Sequence, residues 1–206
     1  MRYIISMLFL CGIVFAGDKA EWPPKPTKIV KELTSTLPTE AEIKKLDSIG
    51  QSFKISQDEK KRGAYGSMEG KLLYRLCAGN VKSWTQQDFE ERALIADKMN
   101  AVRKKYMVYG ASDALWGKWN DWAAGSSTHT EFFKRLLYGF KNKAKIHRIG
   151  FRQAVYKYMD GHKKEFPDLK AKLLFCNQLL AAGIQDAGIK SLPIDLVEEA
   201  KLAEKK

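Results

Sequence analysis

The sequence predicts an all-α protein, an irregular bundle of about six to eight helices, and three observations carry that prediction. Ile95, Met99, Val102, Tyr106 and Tyr109 recur at steps of four, three, four and three, which is the helical period, and the residues between them are mostly charged. Capping-box patterns recur, each a hydroxyl residue followed three positions later by an acid: Thr39 with Glu42, Ser56 with Glu59, and Thr128 with Glu131. No stretch alternates apolar and polar residues as a half-buried strand must, and no Asn-Gly hairpin turn occurs.

The elements follow in order. Thr39 opens a short helix to about Ile49. The Ser56 box opens a second segment ending at Cys77. Its first half holds Gly63, Gly66 and Gly70 and reads as weak helix. Its second half carries Met68, Leu72, Leu73, Leu76 and Cys77 on one face, and Gly79 supplies a left-handed stop. Ser83 or Thr85 caps the longest helix, which Gly110 stops or kinks. Ser112 restarts it as DALWGKWNDWAAG. Thr128 caps a helix bearing Phe132, Phe133, Leu136, Leu137 and Phe140. Another runs from about Ile149 to Glu165, where Pro167 breaks it. Leu169 to Ala182 carries the second cysteine, and SLPIDLVEEAKLAEKK makes a last short helix with Pro193 near its first turn. The likeness of KLLYRLCAGN and KLLFCNQLLAAG does not extend on either side, so it marks two similar core helices and not a repeat.

Ahead of the bundle stands MRYIISMLFLCGIVFAGDKAEW. A positive Arg2, an apolar run from Tyr3 to Phe15 and Val14-Phe15-Ala16 have the order of a secretory signal peptide cut after residue 16. The apolar run spans only about 20 Å as a helix, too short to cross the roughly 30 Å of a bilayer core. Residues 17–37, with EWPPKPTK, read as a proline-rich extended lead-in, and 38–206 as one helical domain. Export places the chain in a periplasmic or extracellular space. Loss of the leader removes Cys11 and leaves Cys77 and Cys176. An even cysteine count in an oxidising space predicts a disulfide between them. It would close a loop of about 100 residues, worth roughly 4–5 kcal/mol in the chain-entropy model.

The chain has 36 Lys and Arg against 24 Asp and Glu, a formal charge of +12. Ten of the positive residues lie between Lys134 and Lys164, where Asp160 is the single acid. Aromatics interleave with them at Tyr138, Phe140, Phe151, Tyr156 and Tyr158. A charge excess of this size points to an anionic partner: envelope lipid, polysaccharide, nucleic acid or an acidic protein. The FKNKAKIHR turn should project its lysines into solvent. The candidate contact residues are Lys141, Lys143, Lys145, Arg148, Arg152 and Lys157. Three of the five tryptophans, Trp116, Trp119 and Trp122, fall at i, i+3 and i+6. They read as core with polar tips or as a partner hot spot or sugar-stacking platform.

Motifs for catalysis and cofactors are missing. GASDA, GSST and GSMEG match neither a GxSxG elbow nor a phosphate loop, and there is no CxxC. His129, His147 and His162 lack metal-ligand spacing, so no metal and no cofactor is expected. Carboxylate pairs such as Glu69 with Asp88, or Glu131 with Asp160, carry no mark of a cleft. The sequence therefore reads as an exported, basic, non-catalytic helical interaction protein. The rival readings are a small cell-wall hydrolase of the glycosidase type and a periplasmic nucleic-acid-binding accessory protein.

Overall fold

A computed structural model describes residues 37–56, 59–106, 110–146 and 149–205. The expected signal peptide at 1–16 and nearly all of the lead-in at 17–37 lie outside the described residues. The elements are α1 (Glu40–Ser56), α2 (Glu59–Cys77), a 3₁₀ turn at Val81–Ser83, α3 (Gln86–Lys105), α4 (Ala111–Trp116) and α5 (Trp119–Ala124). They continue with α6 (His129–Lys141), a second 3₁₀ turn at Lys143–Lys145, α7 (Gly150–Gly161), α8 (Leu169–Ala181) and α9 (Ala187–Ala203). Among the described residues there is no strand, and no helix is long and apolar enough to cross a membrane.

Local chemistry sets the helix starts. The Thr85 hydroxyl accepts from the Asp88 N–H at 3.1 Å, and the Asp88 carboxylate accepts from the Thr85 N–H at 2.8 Å, a complete capping box. Thr39 and Glu42 make the same reciprocal pair, with 3.3 Å and 2.9 Å contacts. Thr128, Asp168 and Asp186 cap α6, α8 and α9. At the far end of α2, Gly79 takes a φ of +91°, the left-handed residue that the sequence called for.

Several boundaries differ from the sequence expectation, and packing is the reason. The glycine-bearing first half of α2 is fully helical because Tyr65, Glu69, Leu72 and Leu76 fall on one buried face. Tertiary burial there overrides weak propensity. The expected DALWGKWNDWAAG helix is divided at Gly117 and Lys118 into α4 and α5. α7 stops at Gly161, short of Glu165, and the chain turns through His162 before Phe166 packs into the core. α9 starts six residues before Pro193. Ile189, Leu192 and Leu196 on its buried face hold the helix through the proline.

The helices pack as linked pairs: α1 on α2, α3 on α4, α5 on α7, and α8 on α9. α1 also meets α3, α2 meets α4, α9 meets α7 and α6 meets α5; the first 3₁₀ turn packs on α5 and the second on α4, which joins the α1–α4 and α5–α9 groups into one bundle. One continuous cluster of buried side chains runs from Ile43 to Leu196. Its centre is aromatic. Phe89 stacks on Trp122 with ring centroids 4.2 Å apart, and Phe132 stacks on Tyr158 at 4.0 Å. Gly139 is what lets α6 approach α5, since a Cβ at that position would run into the Trp119 ring.

The expected disulfide is not formed, and both Cys77 and Cys176 are free thiols. α2 packs on α1, α3 and α4, whereas α8 packs on α9, so the two cysteines belong to different parts of the bundle. Burial pushes the Cys77 thiol up, with Lys118 and Arg92 opposing, and pushes the Cys176 thiol up to about 11. Both are therefore protonated at neutral pH and behave as small core side chains.

Candidate functional site

The three tryptophans are core. Trp116 is 3% exposed, and Trp119 and Trp122 are fully buried. The hot-spot reading of these residues is thereby corrected: none presents a ring face to solvent. The reason lies in their neighbours. Trp122 is stacked on Phe89 and donates its Nε1–H to the Trp84 carbonyl at 2.9 Å. Trp116 stacks on Tyr138 at 5.8 Å, and Trp119 packs on Phe151 at 4.8 Å. Of the aromatics interleaved with the basic block, Phe151 and Tyr158 are also buried, while Tyr138, Phe140 and Tyr156 are half-buried.

The basic block divides into cations that are spent and cations that are not. Arg135, 3% exposed, is an internal tie. Its guanidinium donates to the Trp84 carbonyl at 2.9 Å, to the Trp122 carbonyl, and to Glu131 Oε1 at 2.5 Å, and it lies over the Trp122 ring. Burial pushes the Glu131 carboxyl up, but the Ser127 N–H and the Arg135 charge outweigh it and hold the group below its ordinary value. Lys145 reaches Asp97 at 2.7 Å, Arg152 reaches Asp195 at 2.9 Å, and Lys157 reaches Asp121 at 2.5 Å. Lys163 pairs with Asp160 at 2.9 Å. Arg148 lies outside the described residues.

Lys141 and Lys143 differ from these, as do Lys134 and Lys164, which are exposed and have no ion pair among the described residues. Lys141 and Lys143 are both exposed, and among the described residues no carboxylate lies within 4 Å of either. Lys143 has its ammonium 5.3 Å from the Phe140 ring centre. The end of α6 and the 3₁₀ turn position this pair. The Asn142 side chain donates to the Tyr138 carbonyl at 3.0 Å, and the Lys145 N–H donates to the Asn142 carbonyl at 2.8 Å. The turn thus holds Lys141, Lys143 and Lys145 at one corner of the bundle.

Beside that corner opens a cleft of about 560 Å³. Asp113, Trp116, Asn120, Lys145, Ile149 and Gln153 are among its lining residues. Asn120 donates an N–H to Gln153 Oε1 at 2.9 Å across the α5–α7 contact. The Lys145 ammonium stands 5.7 Å from the Trp116 ring centre. Sequence reasoning did not single out Asp113, Asn120 or Gln153. The available signal was polar side chains next to the tryptophans in SDALWGKWND, which the helical count alone assigns to the outer face.

The remaining candidates resolve into structural roles. Glu69 is buried against Arg103, Asp88 is consumed in the α3 cap, Glu131 holds Arg135, and Asp160 pairs with Lys163. The two carboxylate pairs considered from the sequence are therefore engaged elsewhere. His129 Nε2 lies 2.9 Å from Glu165, and the His162 ring nitrogen donates to the Tyr158 carbonyl at 2.9 Å. His147 lies outside the described residues. Among the described residues no group of three His, Cys, Asp or Glu side chains is placed to hold a metal ion.

No family model, no curated protein and no solved structure matches this chain.

Proposed function

We propose that the protein is an exported interaction module that uses the corner at Lys141, Lys143 and Lys145 to hold an anionic partner at an envelope surface. The observation that supports this reading best is the pair of exposed lysines, Lys141 and Lys143, without a carboxylate among the described residues, within a segment whose other described cations are mostly neutralised. An uncompensated pair beside a third lysine raises local positive potential and concentrates anions there. Arg152 and Lys157 have their own carboxylates and take a smaller part. Export rests on the charge, apolar and small-residue order of residues 1–16, and N-terminal sequencing of the exported form should begin at or near Gly17.

The two carboxylate pairs considered from the sequence give the hydrolase alternative no support, because their members serve in a cap and in ion pairs. The test of the binding reading is the Lys141→Gln/Lys143→Gln/Lys145→Gln variant on an immobilised polyanion. It should elute at clearly lower salt than the parent protein, with an unchanged melting curve. Elution at the same salt would rule the corner out as the binding surface.

A further inference from the structure

We infer that the cleft beside the lysine corner is a saccharide subsite, so that the anionic partner is an acidic polysaccharide; this rests on the anionic-partner reading above. The argument is an inventory of hydrogen-bonding groups. The Asn120–Gln153 contact uses one amide N–H and one amide oxygen. It leaves one carbonyl oxygen, on Asn120, and one amino group, on Gln153, with no partner among the described residues. Exchanging the amide ends leaves the same inventory, one carbonyl and one amino group. Asp113, exposed on the same wall, adds a carboxylate that no described side chain engages. Lys145 adds an ammonium that is already shared with Asp97 at 2.7 Å. The wall therefore combines acceptors with donors. A hydroxyl both donates and accepts, and a run of sugar hydroxyls satisfies such a wall.

The same inventory disfavours the other anions. Asp113 repels a phosphate chain and a uronate chain alike, but only the uronate brings hydroxyls that can donate to its carboxylate. A nucleobase needs an open ring face, and Trp116 has none, being stacked on Tyr138 and overlain by Lys145. A lipid tail would leave the amide groups and Asp113 desolvated. The cleft volume of about 560 Å³ falls within the range of roughly 300–1,000 Å³ common for small-ligand pockets. Ile149, 51% exposed at the rim, gives an aliphatic surface for the C–H face of a sugar ring. Lys141 and Lys143 then meet the carboxylates of neighbouring units along the chain.

Titration with an oligomer of uronic acids, beside polyphosphate and single-stranded DNA of equal charge, tests this. The parent protein should bind the uronate oligomer most tightly. Gln153→Leu should weaken uronate binding about tenfold, the loss of one good hydrogen bond, and leave polyphosphate binding unchanged. Gln153 is exposed, so the fold should tolerate that change; if stability interferes, Asp113→Asn, which relieves repulsion of every polyanion but weakens an acceptor for sugar hydroxyls, should raise polyphosphate binding more than uronate binding. Equal binding of all three polymers, unmoved by either variant but lost in the triple lysine variant, would overturn the saccharide subsite and keep the lysine corner. Absence of binding to any of the three would overturn both.

Discussion

Arg135 and Lys141 stand six residues apart on one helix, and they show two uses of positive charge. Arg135 is inside, its planar fork spread over the Trp84 and Trp122 carbonyls and the Glu131 carboxylate. Lys141 is outside at the end of the same helix, with no carboxylate within reach among the described residues. Arginine suits the first task because its five donors are fixed in a plane and it is weakly hydrated, and lysine suits the second as a hydrated point charge on a flexible stem. The molecule repeats the contrast. Arg103 is buried against Glu69, and Arg92 donates to the Leu76 carbonyl at 2.6 Å at the end of α2 while lying 4.1 Å over the Trp84 ring. The arginines named here organise the interior, and the lysines of the corner are left for the exterior.

Breaking the interior should cost most. Trp119→Ala should lower stability by about 3–5 kcal/mol, since a fully buried indole packed on Phe151 is lost with little chance of collapse. Denaturant melts measure this, and a loss under about 1 kcal/mol would contradict the aromatic-centre account. Arg135→Met comes next, at about 2–3 kcal/mol. The Trp84 carbonyl keeps its bond from Trp122, the Trp122 carbonyl that from the Gly125 N–H and Glu131 that from the Ser127 N–H, but all three lose the guanidinium and Glu131 loses its counter-charge. A neutral outcome would mean that Arg135 is a surface cation that happens to be covered.

A smaller effect sits at the α3 cap. The Thr85 N–H and hydroxyl hold the Asp88 carboxyl below its ordinary value of 3.8. A depressed folded value contributes stability above the unfolded value and loses it as pH falls through the folded one. Asp88→Asn should therefore be less stable than the parent at neutral pH, with the gap closing in acid. A gap that widened in acid would reverse the sign and reject the cap assignment. Smallest of all, Lys141→Gln/Lys143→Gln should shift stability by less than about 0.5 kcal/mol, because exposed charges contribute little.

The sequence carried the all-α class, the Thr128 cap, the left-handed Gly79 and a choice of Ser83 or Thr85 for the α3 cap, since periodicity, caps and stops are local patterns. It misjudged features that only tertiary contact decides. Charge counting included Arg135 in the basic block without showing that its position on α6 beside Phe132 and Leu136 buries it. Cysteine counting joined Cys77 to Cys176, but nothing local says which helices become neighbours. The tryptophan spacing fitted core first and a hot spot second, and the Phe89, Tyr138 and Phe151 partners that make it core lie on other helices. The cleft was not legible because Asn120 and Gln153 meet only when α5 packs on α7.

The central claim is that the lysine corner, and not the general positive charge, meets the partner. Rates of lysine acetylation, read residue by residue by mass spectrometry with and without a uronate oligomer, test it most directly. The account predicts that Lys141, Lys143 and Lys145 are slowed several-fold while Lys71 on α2 and Lys190 on α9, both exposed, react at unchanged rates. Uniform slowing of all exposed lysines, or slowing at Lys71 and Lys190 with the corner unaffected, would contradict it.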